Sequence, residues 1–496
     1  MGDKIVSNTL TSSSIPPPAT EILAKFVHDA KYEDLDKDDI SVLKDLLLDY
    51  IGVAAAAVEK AESTEPVFQA VLELDASSNG QGGLYTVFTK GRRYCAQSAA
   101  LLNAFLGHSL DFDDTYSEGS VHPGVTAITA GLVAADGMSL RETRVDIAGK
   151  PFLTAVAVGY EVTCRLSRAV GQGSYARGFH NTSITGIFGA IATIAKLKSL
   201  EAGVVEMAFG LAGSKAAGSM QYLENGSWNK RLHPGFAVRD AFLCLALAEK
   251  GVLGASKILE GKFGFFHMYA ISGSDRRIDY AKLLGNLGSE WIFLATLTKP
   301  YPACRMTHGL IEMVDRLRTK VLSKDLSSSP NDPFPSQTIE QIRIKMPAYQ
   351  IPVVGASQEN KIHPQNVVDA QFSAYYQVAL TWLHGARTGW AGYDYLDDAD
   401  MHSLADRITI TSDETLSRFQ QTITLEFTDG SKLEDTIRPH ASPREEARTP
   451  EYHSKVIGKF ISLAESVYGI EKAAKIQEVV ENLESHCIVE LLDLLQ

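Results

Sequence analysis

The stretch His108-Ser-Leu-Asp-Phe-Asp-Asp-Thr115, with His122-Pro123 close behind, sets three carboxylates in four positions between two histidines. It follows directly on the apolar run Ala99 to Leu106. Like charges grouped at the end of a buried helix cost stability unless protons, hydrogen bonds or cations compensate them. Chains keep such strain mostly where chemistry needs it. The plain alternative is a helix end running into a solvated acidic loop. Three further segments weigh against that. Gly178-Phe-His180-Asn-Thr-Ser183 precedes an apolar helix that Asn181, Thr182 or Ser183 is expected to cap. A carboxylate bound near that helix start would gain from its dipole. Asn229-Lys230-Arg231-Leu-His233-Pro-Gly235 offers three potential cations before another buried helix. Thr298-Lys299-Pro-Tyr-Pro-Ala-Cys304-Arg305-Met-Thr-His308 lies where the style of the chain changes. Singly each is an ordinary cap or surface charge. Together they offer cations to hold carboxylates and imidazoles to move protons.

The elements that must position these residues fall into two styles. From about residue 20 to 275 the pattern is helical, with Leu43, Leu46, Leu47 and Ile51 at helical spacing. Ser183 to Leu197 and Gly235 to Leu253 are apolar nearly all round, which places them at the centre of a helical domain. After about 285 the pattern mixes strands and helices. Residues 326–336 read as an exposed loop. Ile339 to Met346 and Arg407 to Thr411 read as strands. Thr422 to Phe427 and Ser431 to Asp435 read as a hairpin turning at Asp429-Gly430. Ala370 to Leu383 reads as a buried helix between them. The expected fold is therefore mainly α: a tail over 1–20, a large all-helical domain built from both ends of the chain (21–285 and 446–496), and a smaller α+β domain over 286–445.

The bulk composition narrows the function classes. With 45% apolar and 22% charged residues over 496 positions, the chain is an ordinary globular protein of more than one domain. A net charge of -13 argues against nucleic acid or an anionic membrane as partner, though a pocket can still be locally basic. Cys95, Cys164, Cys244, Cys304 and Cys487 are odd in number and form no CxxC pair, which fits a reducing compartment and neither a disulfide framework nor a zinc site. No apolar run approaches the roughly 20 residues that cross a bilayer. The Ser/Pro-rich start is expected to be a flexible tail rather than a targeting signal, with the cytosol as compartment.

The ordered set HSLDFDDT…HP, GFHNTS, NKRLHPGFA and KPYPACRMTH resembles the MmgE/PrpD family, over nearly the whole chain from about residue 20 to 490. Family members include 2-methylcitrate dehydratase, cis-aconitate decarboxylase and iminodisuccinate epimerase. The resemblance implies a helical domain with an α+β lid, a homodimer, a site between domain and lid, and no metal or organic cofactor. Carried over by motif, it implies His122 and His180 as an acid/base pair with Asp111 orienting one of them. Thr115, Lys230, Lys299, Cys304 and Arg305 fall at substrate-binding positions. Two departures stand out against the animal cis-aconitate decarboxylase: Cys304 replaces an active-site histidine, and the lid tyrosine has only the offset Tyr349. One extra residue between Thr115 and His122 is a spacing shared with the fungal decarboxylase.

The implied reaction is a cofactor-independent lyase step on a small di- or tricarboxylate. Lys230, Lys299 and Arg305 would neutralise carboxylates, and the histidines would move protons near neutral pH, an imidazole beside Asp111 having its pKa raised. Because a cysteine at 304 supplies less charge than histidine, dehydration of a 2-alkylcitrate is the first expectation. Decarboxylation of cis-aconitate is the second and epimerisation the third. From other classes, an isoprenoid synthase would need a second metal-binding motif that the sequence does not offer, and a non-catalytic protein of this fold would not need both histidines and both lysines.

Overall fold

Apolar helices account for most of the architecture, and their ends show why they stop where they do. The computed structural model describes residues 16–76, 83–89, 91–139, 145–270, 278–323, 339–438 and 442–496. The first fifteen residues of the expected tail and the expected loop at 326–336 lie outside these. Helix Lys37–Lys60 starts with a reciprocal cap, in which Asp36 accepts from the Asp39 backbone and Asp39 from that of Asp36. It buries Leu43, Leu46, Leu47 and Ile51 as the spacing predicts. Its Gly52 lies against Phe460 of the C-terminal helix Pro450–Tyr468, where a Cβ would come within 3.3 Å of the Phe460 backbone. The two ends of the chain therefore share one core.

At the centre, helix Asn181–Leu197 is buried on nearly every side, against helices Gly124–Ser139, Gly149–Val170 and Asn229–Glu249. Glycine makes one of these crossings tight. A Cβ at Gly159 would fall 1.9 Å from the Thr193 hydroxyl, and one at Gly189 the same distance from that of Thr163. One hydrophobic core runs from Ala19 to Leu294 and resumes from Ala447 to Leu495.

A second core collects Met220, Tyr222 and residues from Cys304 to Leu425. Its sheet has the order Ile408–Ser412, Ile339–Met346, Gln421–Phe427, Lys432–Ile437; the first pair is parallel and the others antiparallel. The expected hairpin is present, with Gly430 at φ +82° in its turn. The expected single helix over 370–383 is two, Val367–Gln371 and Ala374–His384. Ser373 interrupts them by capping the second at the Tyr376 backbone N–H, 2.9 Å away. That break frees Phe372 for the site described next.

Candidate active site

The acidic motif is a turn that spends each of its three carboxylates differently. Helix Ala96–His108 ends just before it, and Asp111 takes φ +48°, a left-handed conformation that aspartate tolerates better than most residues. Strand Thr115–Tyr116 then pairs antiparallel with Thr296–Leu297, which brings Lys299 against the motif. Lys299 Nζ donates to the Asp111 carbonyl at 2.8 Å and to its carboxylate at 2.9 Å, and Lys230 Nζ donates to the same carboxylate oxygen. Burial opposes the charge of Asp111, but Lys230 and then Lys299 outweigh it and hold the group well below the usual carboxylate range. Asp113 is likewise held ionised against burial, by His108 at 2.7 Å and by His122. Asp114 has no cation. It accepts from the Gly124 backbone at 3.2 Å and lies 2.5 Å from the Tyr160 hydroxyl, and burial pushes it up to about 8, so it is protonated near neutral pH. Cations, histidine and a proton thus compensate one carboxylate each.

Three imidazoles face one another beside this turn. The rings of His108 and His122 are 4.7 Å apart, and His108 stacks on His180 at 5.7 Å. His122 stands between the carboxylates, its Nε2 3.9 Å from Asp111 and its Nδ1 3.4 Å from Asp113, and its backbone N–H donates to the Thr182 hydroxyl at 3.1 Å. The expectation that a carboxylate raises an imidazole's pKa here is reversed. Burial, Lys230 and Lys299 outweigh Asp113 and hold His122 low. Burial first holds His180 well below its usual value and takes His108 down to about 3. All three rings are neutral near neutral pH.

Two local expectations are corrected. His180 itself is the residue at the helix start and makes no side-chain cap. Asn181, Thr182 and Ser183 instead tie the first turn to its neighbours: Asn181 donates to Gly119, Thr182 accepts from His122, and Ser183 donates to the His233 carbonyl. The Asn229 segment does not precede its helix; Lys230, Arg231 and His233 lie within the first turns of Asn229–Glu249.

All eight residues singled out for the site, Asp111, Thr115, His122, His180, Lys230, Lys299, Cys304 and Arg305, line one cavity of about 480 Å³ including its open mouth. Phe372, Phe419, Met306 and Tyr175 supply an apolar wall that the sequence did not announce. Tyr349 packs on Phe419, its ring 6.4 Å away, and is not among the lining residues. Gln371 secures the junction, donating to the Leu110 carbonyl at 2.7 Å and the Pro302 carbonyl at 3.1 Å while its own carbonyl accepts from the Cys304 backbone. The Cys304 thiol is buried, and burial pushes its pKa up, so it contributes no charge. His108 and Asp113 belong to the opening motif, and His233 to the third segment, yet only the fold shows that they contact His122 and His180. Donor atoms of His108, His122 and His180, and of Asp111, Asp113 and His122, each lie within 4.8 Å of one another. A divalent cation among the second group would face two ammonium groups already seated on Asp111, so the set suits protons and a bound anion better.

The model of the MmgE/PrpD N-terminal domain matches residues 21–276, and that of the C-terminal domain matches 301–485. A cis-aconitate decarboxylase-like protein of Aspergillus oryzae is 27% identical over 98% of this chain and 99% of its own. A cis-aconitate decarboxylase of Aspergillus terreus is 26% identical over 93% of each chain. That of Mus musculus is 27% identical over 74% of this chain and 70% of its own.

Proposed function

The chain belongs to the MmgE/PrpD family, and on that premise we propose that it is a lyase decarboxylating an aconitate-type tricarboxylate. The observation that carries this reading is the division of the cavity between a cationic side and an apolar one. Lys230, Lys299 and Arg305 can pair with two carboxylates. A third would lie against Met306 and the rings of Phe372 and Phe419, which offer it no hydrogen bond although Lys230, Lys361, Arg305 and Arg418 flank those rings, and loss as neutral carbon dioxide would relieve that desolvation. The carbon–carbon bond to that carboxylate breaks, its electron pair forms a new double bond to the central carbon, and the far carbon of the old double bond takes a proton. His122 or His180 supplies that proton. The near-full-length similarity to cis-aconitate decarboxylases supports the same step.

Dehydration of a 2-alkylcitrate is the second reading. The same apolar wall would accept an alkyl group, and two neutral imidazoles suit proton removal paired with hydroxyl departure. Purified protein incubated with cis-aconitate, citrate, 2-methylcitrate and longer 2-alkylcitrates, followed by mass spectrometry, separates loss of carbon dioxide from loss of water. No turnover of any of these would overturn both readings. We further propose that no metal is required, so activity should survive exhaustive chelation. In this reading the second core acts as a lid over the first and the protein works as a homodimer in the cytosol, which light scattering against the 53.9 kDa chain mass tests for the dimer. Among the described residues no helix is long and apolar enough to cross a membrane.

A further inference from the structure

A chain of two imidazoles leads from the cavity to a second groove. His180 lines the cavity, and its Nδ1 lies 3.0 Å from Nδ1 of His233. His233 also lines a separate groove of about 860 Å³, with Ser214, Lys215, Gly218, Arg239 and Asp240, which shares no lining residue with the cavity. Backbone bonds hold both rings in place: the His180 N–H donates to the Gly218 carbonyl at 3.0 Å, and the His233 carbonyl accepts from Ser183 at 3.2 Å. A contact between two Nδ1 atoms requires that one carry hydrogen and the other not. When His180 holds it, its Nε2 is bare and acts as a base. When His233 holds it, His180 accepts at Nδ1 and its Nε2–H is an acid.

We propose that His233 is the proton partner of His180, setting its tautomer and exchanging its proton with the groove while substrate fills the cavity. The inference rests on the lyase reading for its kinetics, though the pairing itself does not. Each step conserves protons. As His180 Nε2–H protonates the substrate carbon, His180 Nδ1 takes the proton of His233 Nδ1, and His233 Nε2 takes one from groove water. Both rings end neutral. After product leaves, cavity water returns a proton to His180 Nε2, its Nδ1 proton goes back to His233, and His233 Nε2 releases one to the groove. Burial, helped by the charge of Lys230, keeps His233 down at about 4, and His180 is held low as well, so a neutral pair sharing one Nδ1 proton is the resting state.

Two experiments separate this from a packing role and from failure of the lyase reading. Nitrogen-15 spectra of the histidines need no substrate: wild type should show one protonated and one bare Nδ1 for the pair, and His233→Phe should change the His180 tautomer. An unchanged His180 signal in the folded variant overturns the proposal. In turnover, His233→Ala should lose about 100-fold in kcat, and added imidazoles should restore it to a degree that follows their pKa. Undiminished kcat, or rescue that does not depend on the pKa of the added base, would refute the relay, because a ring that merely fills space is indifferent to basicity. His233→Gln, which can hydrogen-bond but not relay, should stay as slow as the alanine variant; wild-type speed in it is a second overturning result.

Discussion

At the residue scale, the acidic motif shows how a cluster that looks unstable becomes tolerable. Asp114 is protonated where Asp111 and Asp113 are not, and that difference is measurable. Its folded pKa is raised, so the stability it confers is fully present below the unfolded value of 3.8 and is lost as pH rises to about 8. Asp114→Asn keeps the shape and removes the titration. The stability of wild type relative to this variant should therefore fall by about 1.4 kcal/mol per pH unit through that window. Denaturant titrations at several pH values check it, and a flat difference would show that Asp114 is ionised. Asp111 behaves oppositely because its charge is paired. Lys299→Met leaves that carboxylate paired with Lys230 alone and should cost about 1.5–3 kcal/mol of stability, as for a lost hydrogen bond to a charged group. Adding Asp111→Asn leaves the buried Lys230 ammonium without its carboxylate, so the double variant should be less stable still. A double variant as stable as the single one would mean that the charge of Asp111 contributes nothing to folding. The clash of charges was legible in the sequence; the partner of each carboxylate was not, because Lys230 and Lys299 are 119 and 188 residues away.

Among the elements, the features carried by local chemistry were readable. The hairpin at Asp429-Gly430 follows from its turn residues, and the buried helices follow from apolar faces unbroken by charge. Where tertiary contacts compete, reading the chain alone falls short. His180 starts a helix without capping it because Asn181, Thr182 and Ser183 bond to other elements, and helix Asn229–Glu249 keeps Pro234 within its early turns. At the junction between the two cores, the sequence marked the Thr298–His308 segment but not the contacts made by Arg418. Arg418, in the loop before strand Gln421–Phe427, donates to the Ser117 carbonyl, to the Glu118 carbonyl at 2.9 Å and to the Ser120 hydroxyl at 2.9 Å. Its neighbour Phe419, at φ +61°, lines the cavity. Arg418 thus fastens one wall of the cavity to the other. Arg418→Ala should raise KM about 10-fold, the worth of one charge-assisted contact, and speed hydrogen exchange in residues 117–120. Arg418→Lys should recover only part of this, since an ammonium does not reproduce the guanidinium fork. Unchanged KM and exchange in the alanine variant would show that the contact holds nothing closed.

For the whole molecule, the proposed reaction would set a chain of net charge -13 against a trianion. The site brings Lys230, Lys299 and Arg305 against the ionised Asp111 and Asp113, so one positive charge is in excess before substrate arrives. A tricarboxylate would leave the cavity with excess negative charge, and the groups able to answer are the neutral imidazoles. Burial and the two lysines keep His122 low in the empty site, while burial, His233 and Lys230 do the same for His180. Added negative charge a few ångströms away favours the imidazolium and raises both. In the proposed reaction, bound substrate would thereby favour a charged His122, while His180 gives its proton as the neutral partner of His233. Binding of propane-1,2,3-tricarboxylate, which has neither a double bond nor a hydroxyl to react, should therefore take up about one proton per site near neutral pH. Calorimetry in two buffers of different ionisation enthalpy measures that uptake directly. By linkage, affinity should also weaken about tenfold for each unit that pH rises above neutrality. Proton release, or an affinity independent of pH, would mean that the imidazoles stay neutral in the complex and that the donated proton comes from a neutral imidazole N–H, not from an imidazolium.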